Sequence, residues 1–331
     1  MPSAIQIRCP FCLNQHPVSD SLKCPETGRL IPPRYMKDVA KGVRIANMLT
    51  IGFSGHGKTC YLAALIYSLR YGEPIRNWPG FSFLGLDDDT LDIVLDQYVR
   101  QLILGVLPEA TREFVPYTLI LRLSRMPLAT KAGSLTVSYS PKDLVLNLYD
   151  ARGEAFQHKE TIARDIALLG QLNNLVLLFD LSRVRTEAAT TGKGPEEQLH
   201  DLLSRVLAAV DELGQDRKKG VVICFTKADE LWGNDDYGPL SIRPTMHLQA
   251  ASGMTKYVSY LDARSDSIAE WVLERYPSVY YLLHEYFKPV RFASVSALGT
   301  SPGSDGRTVD SVVPSGIMDP LLSLLRMDGL L

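Results

Sequence analysis

The eight residues Gly52–Thr59 constrain the fold of this chain more than any other segment. Their letters, GFSGHGKT, match the phosphate-binding pattern G-x-x-x-x-G-K-[ST]. The largely apolar run Met48–Ile51 precedes the pattern and the apolar-periodic segment Tyr61–Leu69 follows it, which predicts a strand, a tight turn and a helix. Backbone N–H groups at the start of such a helix can bind a polyphosphate. The alternative is a glycine-rich turn that binds no ligand.

Two side chains of this loop are expected to act on the phosphates directly. Lys58 would reach the β- and γ-phosphates, and the Thr59 hydroxyl would bind Mg²⁺. The remaining nucleotide contacts predicted for the loop are Gly52, Ser54, Gly55, His56, Gly57 and Cys60. Cys60 lies on the predicted helix that follows the loop, so a small core residue is the alternative interpretation for it.

The composition disfavours several classes of protein. The chain has 331 residues and a net charge of −2, so no basic field favours nucleic acid or an anionic membrane as a partner. No apolar run approaches the roughly 18 residues of a membrane span, and the first eight residues lack the apolar core of a signal peptide. Five cysteines, an odd number, argue against a disulfide framework. We therefore expect a cytoplasmic protein in a reducing compartment.

Strand and helix patterns alternate from about residue 44 to the end of the sequence. The strand candidates are Asn47–Gly52, Tyr117–Arg125, Leu144–Tyr149, Asn174–Leu181, Val221–Thr226 and Val290–Val295. The helix candidates are Lys58–Tyr71, Leu91–Leu104, Lys159–Leu169, Glu196–Leu213, Ser265–Phe287 and Ile317–Met327. Runs such as Leu175–Phe179 are apolar throughout, which is typical of strands covered by helices on both sides. The pattern predicts an α/β fold, a doubly wound and mostly parallel sheet of about six strands, with a ligand at the carboxyl ends of the strands.

The first 40 residues differ from the rest because turn-forming residues and cysteines replace long periodic patterns. We therefore predict a small Cys-rich module in residues 1–40 and a large domain in residues 44–331, with a linker at about Arg34–Arg44. Three segments rich in small and polar residues are predicted to be mobile, namely Ser182–Pro195, Gly233–Thr255 and Thr300–Ser315.

A second motif, Asp150–Gly153, follows the predicted strand Leu144–Tyr149 and fits D-x-x-G. The Asp150 carboxylate would hold Mg²⁺ through water, and Gly153 would let its backbone N–H approach the γ-phosphate. Because this short pattern is weakly specific, a plain turn is the alternative.

A third motif, Thr226–Asp229, ends the predicted strand Val221–Thr226 and fits [NT]-K-x-D. The Asp229 carboxylate can accept hydrogen bonds from N1–H and the 2-amino group of guanine, a donor pair that adenine lacks. A site built around such donors can discriminate by roughly 10⁴ or more. The stem of Lys227 can lie against the base. The alternative is an ordinary strand-to-helix turn.

A fourth, less specific motif follows the predicted strand Val290–Val295. It is the tripeptide Ser296, Ala297 and Leu298, whose backbone N–H groups could donate to guanine O6. Taken together, the four motifs occur in a fixed order, and each lies at a predicted strand end. In this respect the sequence resembles the P-loop GTPases of the Ras-like and translation-factor class. The resemblance extends from about residue 44 to the last residue and implies binding of GTP or GDP with Mg²⁺, and two switch segments that sense the γ-phosphate.

The sequence departs from that class at the residue after Gly153, which is Glu154. Ras-like GTPases usually have Gln there and translation factors have His, to orient the attacking water. A carboxylate repels the γ-phosphate but can accept a proton from water, so hydrolysis is expected to be slow without a partner. The catalytic residues that we predict are Lys58, Glu154 and Arg152, and the alternatives to Arg152 are Arg112 and His158.

A second departure is an extra predicted helical segment, roughly Asp87–Leu104, before the second strand. Its acidic run Asp87–Asp89 most simply caps the helix, and metal binding is the alternative. Thr111 is the predicted second hydroxyl ligand of Mg²⁺, with Thr118 and Thr90 as alternatives.

The cysteines near the N-terminus, Cys9, Cys12 and Cys24, resemble a zinc ribbon, in which two knuckles supply four thiolates. The fourth place by spacing is Thr27, a poor ligand, and His16 is near enough in sequence to replace it. Two interpretations stay open, a Cys₃His site for Zn²⁺ and a degenerate ribbon that binds no metal. With about 40 residues, this segment needs a metal or packing against the main domain to fold.

The Cys-rich segment that runs through Cys24–Pro33 into a GTPase resembles the double-GTPase type 2 families, which are encoded in bacterial conflict-system operons. This resemblance implies a regulatory switch that works with separate protein partners. One alternative is a non-hydrolysing, GTP-dependent scaffold, which Glu154 permits. An ATPase is disfavoured by Asp229, and a nucleic-acid binder is disfavoured by the low net charge.

Overall fold

The computed structural model describes residues 6–17, 23–53, 55–88, 90, 99–107, 117–132, 136–150, 171–212, 219–303 and 309–331. The described strands are β1 (Gln6–Arg8), β2 (Gln15–Pro17), β3 (Arg44–Gly52), β4 (Ser82–Gly85), β5 (Tyr117–Ala132), β6 (Thr136–Asp150), β7 (Asn174–Asp180), β8 (Gly220–Thr226) and β9 (Val290–Ser294). The described α-helices are α1 (Pro33–Ala40), α2 (Lys58–Tyr71), α3 (Glu73–Asn77), α4 (Arg100–Ile103), α5 (Leu181–Thr191), α6 (Pro195–Glu212), α7 (Met254–Arg275), α8 (Pro277–Tyr286) and α9 (Asp319–Met327).

The large sheet has the strand order β4-β5-β6-β3-β7-β8-β9, and β1 and β2 form a separate antiparallel pair. From β6 to β9 all neighbouring strands are parallel, whereas β4, β5 and β6 pair antiparallel. The prediction of an α/β fold with a mostly parallel sheet is therefore confirmed. The sheet has seven strands rather than about six because the short edge strand β4 gave no periodic signal.

Helices cover both faces of the parallel part of the sheet. On one face, α2 and α9 pack against side chains such as Met48, Leu146 and Val176. On the other face, α5, α6 and α8 pack against side chains such as Leu49 and Leu177. This two-sided cover is the physical reason why β7 and β8 are buried along their whole length.

The Cys-rich segment covers the part of the second face that lies over β5 and β6. Val145 and Ile120 are buried together with Ile7 and Cys9 of that segment. Alternation along β6 places Val145 and Tyr149 on the same face of the sheet. Tyr149 packs with the side chains on this face that α5, α6 and α8 cover, such as Leu49 and Leu177. Side chains of the first 31 residues, together with Tyr35 of α1, thus cover this part of the sheet.

Three predictions about the elements are wrong. The proposed linker Arg34–Arg44 contains most of α1. Pro33 lies in the first turn of this helix, where proline is tolerated. The proposed mobile segment Ser182–Pro195 contains α5, which the Asp180 side chain caps by accepting from Arg183 N at 3.1 Å.

The third wrong prediction is the single helix Ser265–Phe287, which is two helices, α7 and α8, that meet at Tyr276 and Pro277.

Within the predicted mobile segment Gly233–Thr255, the chain forms two 3₁₀ turns and irregular structure before α7 begins at Met254. The predicted helix Lys159–Leu169 lies outside the described residues.

Candidate functional site

The strand ends that carry the predicted motifs lie at one edge of the large sheet. In the parallel register, Thr50 of β3 is opposite Asp150 of β6, and Gly52 is opposite Leu178 of β7. Farther along the sheet, Asp180 of β7 is opposite Thr226 of β8. Because these strands are parallel, their carboxyl ends form one continuous edge, where ligands bind in open α/β sheets.

The loop between β3 and α2 has the backbone geometry that its glycines predict. Gly55 and Gly57 both have φ of +78°, in the left-handed region, and Gly57 immediately precedes the first residue of α2. A Cβ on Gly55 would lie 2.0 Å from the Arg183 guanidinium nitrogen Nη1, so this side chain of α5 lies over the loop. The segment is therefore a strand, a tight turn and a helix. The N-terminus of this helix faces the carboxyl ends of the strands, where its N–H groups can bind a phosphate.

Lys58 and Asp150 form a nearly buried ion pair. Lys58 Nζ lies 2.8 Å from Asp150 Oδ1, and their side chains are 10% and 4% exposed. The pair joins the predicted phosphate-binding lysine to the predicted Mg²⁺-binding carboxylate. Because burial removes both charges from water, each helps to stabilise the other.

His56 joins the loop to the ends of β7 and β8. Its Nδ1 accepts a hydrogen bond from the Asp180 N–H at 3.0 Å, and its carbonyl oxygen accepts one from Thr226 Oγ1 at 2.8 Å. Burial lowers the pKa of His56 to about 4, so the ring is neutral at pH 7 with its proton on Nε2. This residue, predicted only as a nucleotide contact, is positioned to fix the shape of the loop.

The third motif is held by a residue that sequence reasoning missed. Lys227 has a left-handed φ of +53°, and its Nζ lies 2.6 Å from Asp180 Oδ2. Asp180 is 1% exposed and ends a strand with no other charged residue. An acidic residue at the carboxyl end of an otherwise apolar strand is the sequence signal that could have identified Asp180.

The third and fourth motifs are bonded to each other. The Ser296 hydroxyl donates to Asp229 Oδ1 in a short hydrogen bond, and the Ser296 hydroxyl oxygen accepts from Gly299 N at 2.8 Å. Ala228 N also donates to the Val295 carbonyl oxygen at 3.0 Å. These bonds fix the Asp229 carboxylate beside the loop that contains Ser296, Ala297 and Leu298.

Several predicted site residues lie outside the described residues. They are Ser54, Thr111, Arg112, Arg152, Gly153, Glu154 and His158. Of the alternatives to Thr111, the Thr90 hydroxyl accepts from Ile120 N at 3.1 Å, and Thr118 pairs with Tyr149 in the β5–β6 register. Asp87 Oδ1 accepts from Thr90 N at 2.7 Å, which agrees with the capping interpretation of the acidic run.

A second cluster lies in the Cys-rich segment. The Sγ atoms of Cys9, Cys12 and Cys24 and a ring nitrogen of His16 all lie within 4.8 Å of one another. Cys12 Sγ is 3.1 Å and Cys24 Sγ 3.8 Å from His16 Nε2. Ligands about 2.3 Å from a tetrahedral zinc lie roughly 3.8 Å apart, so the set fits such an ion. Among the described residues, no other group of three or more His, Cys, Asp or Glu side chains has this geometry.

The turns that present these cysteines are knuckle-like. Leu13 N donates to the Cys9 carbonyl oxygen at 2.9 Å, and Gly28 N donates to the Cys24 carbonyl oxygen at 2.8 Å. All five cysteines are free thiols, so no disulfide crosslinks the segment. The cluster can hold a metal ion with side chains that the sequence singled out.

Within the part of the chain that the structure describes, no helix has the length and apolar character needed to cross a membrane.

Neither protein-family models nor curated proteins match the sequence. Among solved structures, the chain is similar to the signal recognition particle receptor SRb-GTP/SRX complex from Chaetomium thermophilum, with 15% identity and a TM-score of 0.37 over 78% of this chain and 93% of that one. It is similar to the S. cerevisiae Ski7 GTPase-like domain bound to GTP, with 15% identity and a TM-score of 0.38 over 88% of this chain and 52% of that one. It is also similar to the bacterial selenocysteine-specific elongation factor EF-Sec, with 13% identity and a TM-score of 0.33 over 86% and 29%. Likeness at this level carries no conclusion about activity.

Proposed function

We propose that this protein binds GTP with Mg²⁺, hydrolyses it to GDP and phosphate, and acts as a nucleotide-dependent regulatory switch. One observation carries the proposal. Residues from four separate sequence motifs meet at one edge of the sheet, where an ion pair joins the first motif to the second and hydrogen bonds join the first to the third and the third to the fourth.

The loop and Asp150 would form the phosphate and metal end of the site. N–H groups at the start of α2 would bind the phosphates, and Lys58 would move from Asp150 to the β- and γ-phosphates. Thr59 and Asp150 would hold Mg²⁺, with Thr111 as the second hydroxyl ligand. The ion would neutralise phosphate charge as it develops during hydrolysis.

Thr226, Lys227 and Asp229 would form the base end of the site. The short bond from Ser296 leaves Asp229 Oδ2 and further lone pairs to accept the N1–H and 2-amino donors of guanine. Adenine offers no such donor pair, so binding of an adenine nucleotide would leave the Asp229 carboxylate without these hydrogen bonds. Asp180 would hold the ammonium group of Lys227 while the stem lies against the base.

Glu154 and Arg152 remain the proposed catalytic residues beside Lys58, and we expect slow turnover without a protein partner. The resemblance to double-GTPase type 2 families makes a role with separate partners in a bacterial conflict system part of this proposal. So are a cytoplasmic location, the division into residues 1–40 and 44–331, and Zn²⁺ as the metal of Cys9, Cys12, His16 and Cys24.

Phosphate release from purified protein with GTP and Mg²⁺ tests the proposal. We expect a rate above the no-enzyme background that Lys58→Ala abolishes, because that change removes a contact to the transferred phosphoryl group. Tight GTP binding with no phosphate above background would instead support the non-hydrolysing scaffold. If Lys58→Ala and the parent protein bind and hydrolyse GTP equally, the phosphate-loop assignment is wrong.

A further inference from the structure

The Cys-rich segment contacts the strand that carries Asp150. The preceding residue, Tyr149, is fully buried, and its hydroxyl donates to the Pro10 carbonyl oxygen at 2.8 Å. Pro10 lies in the turn between Cys9 and Cys12. One hydrogen bond thus connects a turn of the metal-binding cluster to the residue next to the Mg²⁺-binding candidate.

The same segment also holds the chain at Gln171. The Arg8 Nη2 donates to the Gln171 carbonyl oxygen at 2.5 Å. The Gln171 side-chain amide donates to Asn14 Oδ1 in a short hydrogen bond. Arg8 Nε in turn donates to the Leu13 carbonyl oxygen at 3.1 Å, which ties both contacts to the first cysteine turn.

Packing reinforces these two anchor points. Leu13, with a left-handed φ of +64°, is buried in one group with Leu49 and Tyr149. Cys9 and Cys12 are buried against Ile120 and Val145. A segment this short, without a disulfide, depends on this packing and on a bound metal ion to hold its shape.

We propose that the metal-bound Cys-rich segment is a positioning element of the nucleotide site. With metal on Cys9, Cys12, His16 and Cys24, the Pro10 carbonyl group and the Asn14 side chain hold Tyr149 and Gln171. These contacts fix the end of β6 and so keep Asp150 where it pairs with Lys58 and can ligate Mg²⁺. Loss of the metal releases both anchor points and weakens the Mg²⁺-dependent part of nucleotide binding. The Mg²⁺ step rests on the proposed function.

Tyr149→Phe tests this connection because it keeps the buried ring and removes the hydroxyl, whose other contact is a longer one of 3.5 Å to Asn47 Oδ1. Tyr257→Phe is its matched control, since the buried Tyr257 hydroxyl donates to Asp319 Oδ1 at 2.7 Å, between α7 and α9 and away from the Cys-rich segment. Loss of one buried hydrogen bond predicts an increase of about three- to ten-fold in the Mg²⁺ concentration needed for binding of a fluorescent GTP analogue. We expect this increase in Tyr149→Phe and not in Tyr257→Phe, with the zinc content of both variants unchanged.

Hydrogen exchange on the full-length protein gives a readout that needs no nucleotide. Removal of zinc with a chelator is expected to lower amide protection around Tyr149 and Gln171 more than in β8, and added Zn²⁺ is expected to restore it. The inference is overturned if the purified protein binds no zinc, if protection at both anchor points is unchanged without zinc, or if both variants have the same Mg²⁺ dependence. If the protein binds no GTP analogue but loses protection as expected, the proposed function fails while the structural connection stands.

Discussion

Lys58 and Asp150 neutralise each other across the ligand edge of the sheet, with 2.8 Å between Nζ and Oδ1 and both side chains nearly buried. Parallel pairing of β3 with β6 brings them together, although they belong to separate motifs. Binding of a phosphate–Mg²⁺ complex would replace the Lys58–Asp150 pair with two pairs to the ligand. Lys58 would pair with phosphate and Asp150 with Mg²⁺. The nucleotide site and the stability of the fold are therefore connected at this pair.

The first prediction separates these two roles. Lys58→Ala is expected to lower the unfolding free energy by about 3 kcal/mol, because it removes a cation from a buried carboxylate. Adding Asp150→Asn to that variant removes the remaining charge and is expected to recover much of the stability. Denaturant unfolding and fluorescent-nucleotide titration of the single and double variants measure both properties. Recovery of nucleotide binding together with stability would contradict the assigned roles.

The second prediction concerns the base. Asp229→Asn replaces an acceptor with an amide that can donate to the 2-oxo group of xanthine. We expect GTP affinity to fall by roughly 100-fold or more and XTP affinity to rise. Competition titrations with GTP, XTP and ATP check this exchange. Ser296→Ala, which removes only the hydroxyl that bonds Asp229, is the milder control, and unaltered base preference in Asp229→Asn would argue against guanine recognition here.

The third prediction concerns Asp180 and Lys227. Asp180→Asn keeps an oxygen that can cap α5 but removes the charge paired with Lys227. We expect GTP and GDP affinity to fall by about five-fold, with little change in Mg²⁺ dependence. Lys193→Ala, which breaks a surface contact with Asp201 away from the site, is a matched control. A loss confined to thermal stability would show that the pair acts only in folding.

The fourth prediction is a pH dependence that arises from His56. Its pKa is near 6.5 in an unfolded chain and about 4 when buried, so between these values the unfolded state binds the extra proton. The unfolding free energy is therefore expected to fall as the pH is lowered through this window, by up to about 3 kcal/mol from this residue. His56→Asn retains an acceptor for the Asp180 N–H and removes the titration. Denaturant unfolding at pH 7 and pH 5 is expected to show a smaller loss in this variant than in the parent.

Local sequence patterns predicted the parts of the site that depend on spacing along the chain. The glycines of the loop and the runs before Asp150 and Thr226 each encode a strand end in a few residues, and their meeting follows from parallel pairing. The contacts of Asp180 with His56 and Lys227 could not be predicted in this way, because they depend on the register between β7 and its neighbours.

The errors in the fold have similarly local causes. Proline is a turn-forming residue in the pattern of the first 40 residues, yet Pro33 at the first helical position begins α1. The small and polar residues of Ser182–Pro195 predict a mobile segment, but the Asp180 cap and the apolar residues Val184 and Ala188 stabilise α5. That a Cys-rich segment covers a sheet face could not be predicted, since its contacts with Ile120 and Val145 join residues that are distant in sequence.

Calorimetric titration of the purified protein with GTP and ATP in the presence of Mg²⁺ tests whether the site binds guanine nucleotides. We expect saturable one-site binding of GTP and an affinity for ATP that is lower by roughly 100-fold or more, because adenine lacks the donor pair that Asp229 accepts. Equal affinities for GTP and ATP, or no binding of either, would contradict this expectation.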